Sequence, residues 1–240
     1  MRTLVLWDVD YTLLDCDGLG REAHEAAFAR VTGRAPEALP YLGGRTDRGV
    51  ITGVLRAHGI APEPDLVDRA CTALAAEFAA RSGALAGRGR ALDGAAAALA
   101  LLAADAGLVQ TVLTGNLRPI AAVKLAAYGL DTHLDLDIGA YGDDDVDRAR
   151  LVGVAQRRAA ERHGEPFDAA TTVVIGDTPN DVEAGRRGGA YTIAVATGRD
   201  PAAELRAAGA DVVLDDLADP AALLAALPRD AGEPGVRPGS

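Results

Sequence analysis

Between Leu92 and Leu227 short apolar runs alternate with helix-length segments, and that alternation restricts the chain to very few folds. Strands are expected at Val109–Leu113, Leu136–Ile138, Thr172–Ile175, Thr192–Val195 and Val212–Leu214. Helices are expected at Asp93–Ala104, Pro119–Tyr128, Arg148–His163, Asn180–Gly185, Pro201–Ala208 and Pro220–Leu227. Strands joined through helices form βαβ units, hence a parallel sheet with helices on both faces. Leu4-Val5-Leu6-Trp7 adds one more strand, whose unbroken apolar run requires burial on both sides. The fold class expected is α/β, a doubly wound, Rossmann-like parallel sheet.

The stretch between that first strand and Leu92 lacks the alternation. A turn-rich linker, Asp15-Cys16-Asp17-Gly18, leads into three helical segments, Leu19–Thr32, Arg48–His58 and Asp65–Arg81. The first carries Ala23, Ala27 and Val31 on one face and stops at Gly33. From about Asp17 to Arg88 no strand is expected, so this stretch reads as a helical insert. The expected division is a core of residues 1–16 and 89–227, a helical cap of residues 17–88, and a flexible tail of residues 228–240. The net charge of −11 disfavours nucleic acid and anionic membranes as partners. The apolar stretch Ala95–Ala104 is too short to span a bilayer. Cys16 and Cys71 have neither metal-site spacing nor a disulfide framework, and the first strand leaves no room for a leader, so a cytoplasmic protein is expected.

Three strands end in polar sets. The first runs into Asp8-Val9-Asp10-Tyr11-Thr12. Side chains at i and i+2 leave an extended chain on one side. Two carboxylates held that close at the edge of a core repel and lose hydration, which is useful where they share a cation. The strand at Val109–Leu113 ends in Thr114-Gly115-Asn116, and the one at Thr172–Ile175 in Gly176-Asp177-Thr178-Pro179-Asn180-Asp181. Singly, each reads as turn chemistry: Asn116 as a helix N-cap, Asp177 as a turn opener. At the carboxyl ends of parallel strands, where α/β sheets bind ligands, all three can converge on one pocket. Asp8, Asp10, Asp177 and Asp181 offer only hard oxygen donors, which suits Mg²⁺. The Thr114 hydroxyl and the Gly115 and Asn116 amides suit an anion. Oxygen ligands beside an anion cradle indicate phosphoryl transfer, with one carboxylate as nucleophile and another as acid and base.

On these motifs the chain resembles the haloacid dehalogenase superfamily, specifically its helical-cap, phosphoglycolate phosphatase-like phosphatases. Asp8, Asp10 and Thr12 match the first motif, Thr114 the second, and Gly176, Asp177 and Asp181 the fourth. The resemblance spans roughly residues 1 to 227. It implies that Asp8 is the nucleophile and that Asp10 is the general acid and base, with its carbonyl on Mg²⁺. It further implies that Asp177 and Asp181 serve the metal, and that Thr114 and Asn116 hold phosphoryl oxygens. The third motif, a Lys or Arg, matches poorly; Arg148 is ranked first, with Arg150 and Lys124 as alternatives. A carboxylate at position 10 favours phosphate esters over halogenated acids or phosphonates. Where the family usually has Gly, this chain has Tyr11, which packs on the cap or lines the pocket.

A cap beside the site can close over the substrate and exclude water. The loop Gly43-Gly44-Arg45-Thr46-Asp47 is expected to reach the substrate, Arg45 pairing with an anionic leaving group and Asp47 accepting from hydroxyls. Equally, Thr46 or Asp47 simply caps the next helix. His24 reads as packed or solvated, and the Asp143–Asp147 run as a solvated loop. The activity expected is a Mg²⁺-dependent phosphatase for a small phosphorylated metabolite, acting as a monomer or homodimer. The alternatives are a sugar phosphomutase on the same scaffold, or a non-catalytic binding protein.

Overall fold

The computed structural model describes residues 1–228, so all but the first residue of the expected tail lies outside the described residues. The chain opens with β1 (Thr3–Trp7), leaves through β2 (Leu14–Asp15), and builds α1 (Leu19–Thr32), α2 (Asp47–Ala57), α3 (Pro64–Arg81) and the short α4 (Leu85–Arg88). It returns through β3 (Arg90–Ala91) and then alternates: α5 (Ala95–Ala103), β4 (Leu108–Val112), α6 (Arg118–Ala127), α7 (Arg148–His163), β5 (Thr172–Gly176) and α8 (Pro179–Gly188). It finishes with β6 (Tyr191–Val195), α9 (Ala202–Ala208), β7 (Val212–Leu214) and α10 (Pro220–Ala226).

Five strands form one parallel sheet in the order β4-β1-β5-β6-β7. The next strand of the sheet after β1, β4, lies on one side of it and the strand after that, β5, on the other. The order therefore reverses at β1, and the crevice at such a switch point is where an open α/β sheet binds ligands. Alternation along β1 splits the core: Val5 and Trp7 pack with the cap-side apolar cluster, while Leu4 and Leu6 pack under Leu151, Val152 and Ala155 of α7. All four β1 residues from Leu4 to Trp7 are fully buried, each contributing roughly 1.5–3 kcal/mol by removal from water.

The strand expected at Leu136–Ile138 does not form. The segment bonds to the outer edge of β4 through Asp135 and Ala140: Asp135 N donates to the Gln110 carbonyl at 3.0 Å and the Asp135 carbonyl accepts from Thr111 Oγ1 at 2.7 Å, and Ala140 N donates to the Val112 carbonyl at 2.9 Å. Between them Asp137 N turns back onto Asp135 Oδ1 at 3.1 Å, so the segment bows away and only Ile138 keeps its side chain buried. α5 starts two residues later than expected, because Gly94 sits in the left-handed region (φ 82°) against the Leu217 carbonyl, where a Cβ would collide. Between β2 and β3 every regular element is helical, and α4 adds a short helix to the three that were expected. The insert is joined to the sheet by the antiparallel pair β2–β3, with Leu14 opposite Ala91 and Asp15 opposite Arg90.

Candidate active site

β1 ends in a bend that turns two carboxylates to the same side. Asp8 N donates to the Ile175 carbonyl of β5 at 2.8 Å, and Asp10 makes an isolated bridge to Leu14. Tyr11 takes φ 59°, a region strained for a bulky side chain. Its amide donates to the Leu14 carbonyl at 2.7 Å and its carbonyl accepts from Thr197 Oγ1 at 2.5 Å, which holds the bend. Tyr11 lines the cavity over the site, one of the two roles open to it.

Asp8, Asp177 and Asp181 are buried, and each places an oxygen within 4.8 Å of the others. β5 carries Asp177 at its end and α8 carries Asp181 in its first turn. Thr178 and Asp181 form a reciprocal capping box, which uses Asp181 Oδ2 and aims Oδ1 inward. Thr12 Oγ1 donates to Asp177 Oδ1 at 3.2 Å. Arg148, the first helical residue of α7, places Nη2 2.5 Å from both Asp8 Oδ1 and Asp181 Oδ1. Asp177 Oδ2 nevertheless has no hydrogen-bond donor, and Asp181 Oδ1 has only the ion-pair contact with Arg148. Three buried carboxylates thus face one guanidinium. Burial pushes the Asp8 carboxyl up to about 7, against the pull of Arg148, and holds the Asp177 carboxyl well above its ordinary value, with Asp181 and Asp8 adding repulsion. Undersatisfied, crowded oxygen donors of this kind fit a divalent metal ion.

A second ion pair lies beside the first. Lys124 Nζ donates to Asp10 Oδ1 and Oδ2 at 2.7 and 2.6 Å and to Asn116 Oδ1 at 2.8 Å. Asn116 Nδ2 donates to Asp10 Oδ2 at 2.7 Å and to Thr114 Oγ1 at 2.9 Å. The Asn116 side chain is therefore turned onto Asp10, and its amide onto Thr114 Oγ1. Of the three cations considered for the third motif, Arg148 meets Asp8 and Lys124 meets Asp10. Arg150 is exposed beside Asp145, away from both.

The loop before α2 packs against the second motif. A Cβ on Gly115 would collide with the Arg45 carbonyl. Thr46 Oγ1 caps α2 by accepting from Gly49 N at 3.1 Å and donates to the Val146 carbonyl at 3.2 Å. Asp47 bridges insert and sheet: its amide donates to the Gly115 carbonyl at 2.7 Å, and its Oδ2 accepts from Leu117 N at 2.8 Å. Its Oδ1 lies 2.9 Å from Nε2 of the buried His24. Arg45 is exposed, its guanidinium running alongside Gly53 of α2. The Asp143–Asp147 run is taken up with local duties. Asp143 accepts from Arg118 N, Asp144 pairs with Arg158, and Asp147 caps α7.

These parts enclose a cavity of about 410 Å³. Among the lining residues that were not anticipated are Arg21 of α1, Arg199, which follows β6, and Tyr41, whose ring Arg199 covers at 5.3 Å. The strand-end rule that found Asp8, Thr114 and Asp177 also applies to β6 and would have pointed to Arg199.

The profile of the haloacid dehalogenase-like hydrolases matches residues 5–186. The chain belongs to this family. The plasmid phosphoglycolate phosphatase of Cupriavidus necator is 30% identical over 227 residues, covering 92% of this chain and 93% of the relative. Among solved structures, a hydrolase from Pseudomonas syringae superposes with a TM-score of 0.69 at 24% identity, covering 93% of this chain and 98% of that one. CbbY from Rhodobacter sphaeroides, solved in complex with phosphate, gives 0.65 at 22% identity, covering 91% and 96%. These two likenesses bear on the fold, a Rossmann-like sheet with a helical cap. Together with the curated relative, membership makes the chain a phosphatase of the haloacid dehalogenase-like family. No helix among the described residues is long and apolar enough to cross a membrane.

Proposed function

We propose that this phosphatase hydrolyses a small phosphorylated metabolite through an aspartyl-phosphate, with Mg²⁺ as its metal. The observation that carries the reading is the buried Asp8, Asp177, Asp181 cluster beside Arg148, in which Asp177 Oδ2 has no hydrogen-bond partner. Asp8, Asp177 and Asp181, with the Asp10 carbonyl, would hold Mg²⁺, which neutralises charge on the transferring phosphoryl oxygens. Asp8 attacks phosphorus as the ester P–O bond breaks, and Asp10 gives its proton to the departing alkoxide. Asp10 then takes a proton from water, whose oxygen attacks the aspartyl-phosphate, releasing inorganic phosphate and restoring Asp8. Arg148 orients Asp8 and favours its ionised form against the effect of burial, and Thr114 with the Gly115 amide receives the phosphoryl oxygens. The residues 17–88 form the cap, hinged on β2 and β3, and close over the cavity. Two unpaired cysteines, Cys16 and Cys71, accord with a reducing cytoplasm.

Asp8→Asn removes the nucleophile and should reduce phosphate release from 2-phosphoglycolate with Mg²⁺ to background; wild-type rates in that variant would overturn the assignment. Product analysis on a hexose 1-phosphate separates the phosphatase from a phosphomutase: free phosphate is expected, and an isomeric sugar phosphate would favour the second.

A further inference from the structure

We propose that Lys124 is a positioning residue for Asp10, and that Phe78 of the cap couples this positioning to closure. The inference rests on the proton-transfer role given above to Asp10. Lys124 is the only lysine in the chain, and it is buried. It shares the buried face of α6 with Ile120, Ala121 and Leu125, where a leucine or methionine would pack with no charge to desolvate. Packing therefore gives no reason for a lysine. All three of its donors are in use, two on the Asp10 carboxylate and one on Asn116 Oδ1. Because Asn116 Nδ2 also donates to Asp10 Oδ2, the carboxylate plane is held from two directions. About a third of the Asp10 side chain stays exposed and lines the cavity where a leaving group would sit.

Phe78, on α3, lies with its ring 5.3 Å from Lys124 Nζ. It covers the ammonium with an apolar, cation-attracting face. When α3 moves away with the cap, water replaces the ring, the local dielectric rises, and the hold on Asp10 weakens. The proton donor is then set firmly only under a closed cap.

The test compares two esters. 4-Nitrophenyl phosphate has a leaving group that departs without protonation, whereas 2-phosphoglycolate releases an alkoxide. Lys124→Met should lower kcat/KM, which reports the steps through leaving-group departure and not the later water attack that both esters share, by about 10²-fold on 2-phosphoglycolate and by only about 3-fold on 4-nitrophenyl phosphate, the pattern also expected of Asp10→Asn. Lys124→Arg, which keeps the charge but moves the carboxylate, and Phe78→Leu should show the same ester selectivity at smaller size. Equal losses on both esters, or a KM rise at unchanged kcat, would overturn the positioning role. If Lys124→Met does not fold, Lys124→Arg and Phe78→Leu decide by the same ester comparison. If Asp10→Asn is ester-selective and the Lys124 variants are not, this inference alone falls. If Asp10→Asn loses nothing on 2-phosphoglycolate, the role of Asp10 falls with it.

Discussion

Asp8 and Asp177 hold their protons more tightly in the folded chain than a free carboxyl does. Asp8 sits at about 7 against an ordinary 3.8, and Asp177 is displaced in the same direction, both chiefly by burial. The sign follows from linkage. In metal-free protein, the stability Asp8 contributes is complete below the ordinary carboxyl value and is lost as pH rises through about 7, at about 1.4 kcal/mol per pH unit while it titrates, and Asp177 acts in the same direction. A divalent ion competes with those protons, so its stabilisation grows over the same window. Thermal unfolding with MgCl₂ and with chelator should therefore show a Tm gap that widens between about pH 5 and about pH 7. A gap independent of pH would mean that the buried carboxylates do not hold the ion.

Strand ends were the most legible elements. β1, β4 and β5 fall within a residue or so of expectation, because unbroken apolar runs have no other place in a parallel sheet, and α1 matches residue for residue because Gly33 ends it in the left-handed region (φ 76°). β2 and β3 were not legible: two residues each, they exist through one another and carry no period of their own. The side-chain partners of Asn116 and Asp47 were equally out of reach, since each is set by residues remote in sequence. Asp47 is the test at this scale. Asp47→Ala leaves the Leu117 amide and the His24 ring without their partner at the seam between α2 and the second motif. A stability loss of about 1–3 kcal/mol is expected in denaturant titration, together with a raised KM if the loop after β4, which the seam orders, receives the phosphate as proposed. An unchanged KM would make Asp47 a helix-end residue and nothing more.

At the scale of the whole molecule, four segments remote in sequence meet above the carboxyl end of β1. Asp8 and Asp10 come from β1, Asn116 and Lys124 from the β4–α6 connection and α6, Arg148 from α7, and Asp177 with Asp181 from the β5–α8 turn. Parallel order brings these strand ends to one edge, and the helical insert roofs them. The sharing of one site by distant carboxylates, with Asp8 left to attack phosphorus, is open to direct observation. Protein mixed with 2-phosphoglycolate and Mg²⁺, quenched rapidly in acid and digested, can be mapped by mass spectrometry for a phosphoryl group. The peptide containing Asp8 should carry it in the wild type, and no peptide should carry it in Asp8→Asn. A phosphoryl group on any other residue, or turnover with none on Asp8 during the burst, would contradict the assignment of Asp8 as nucleophile.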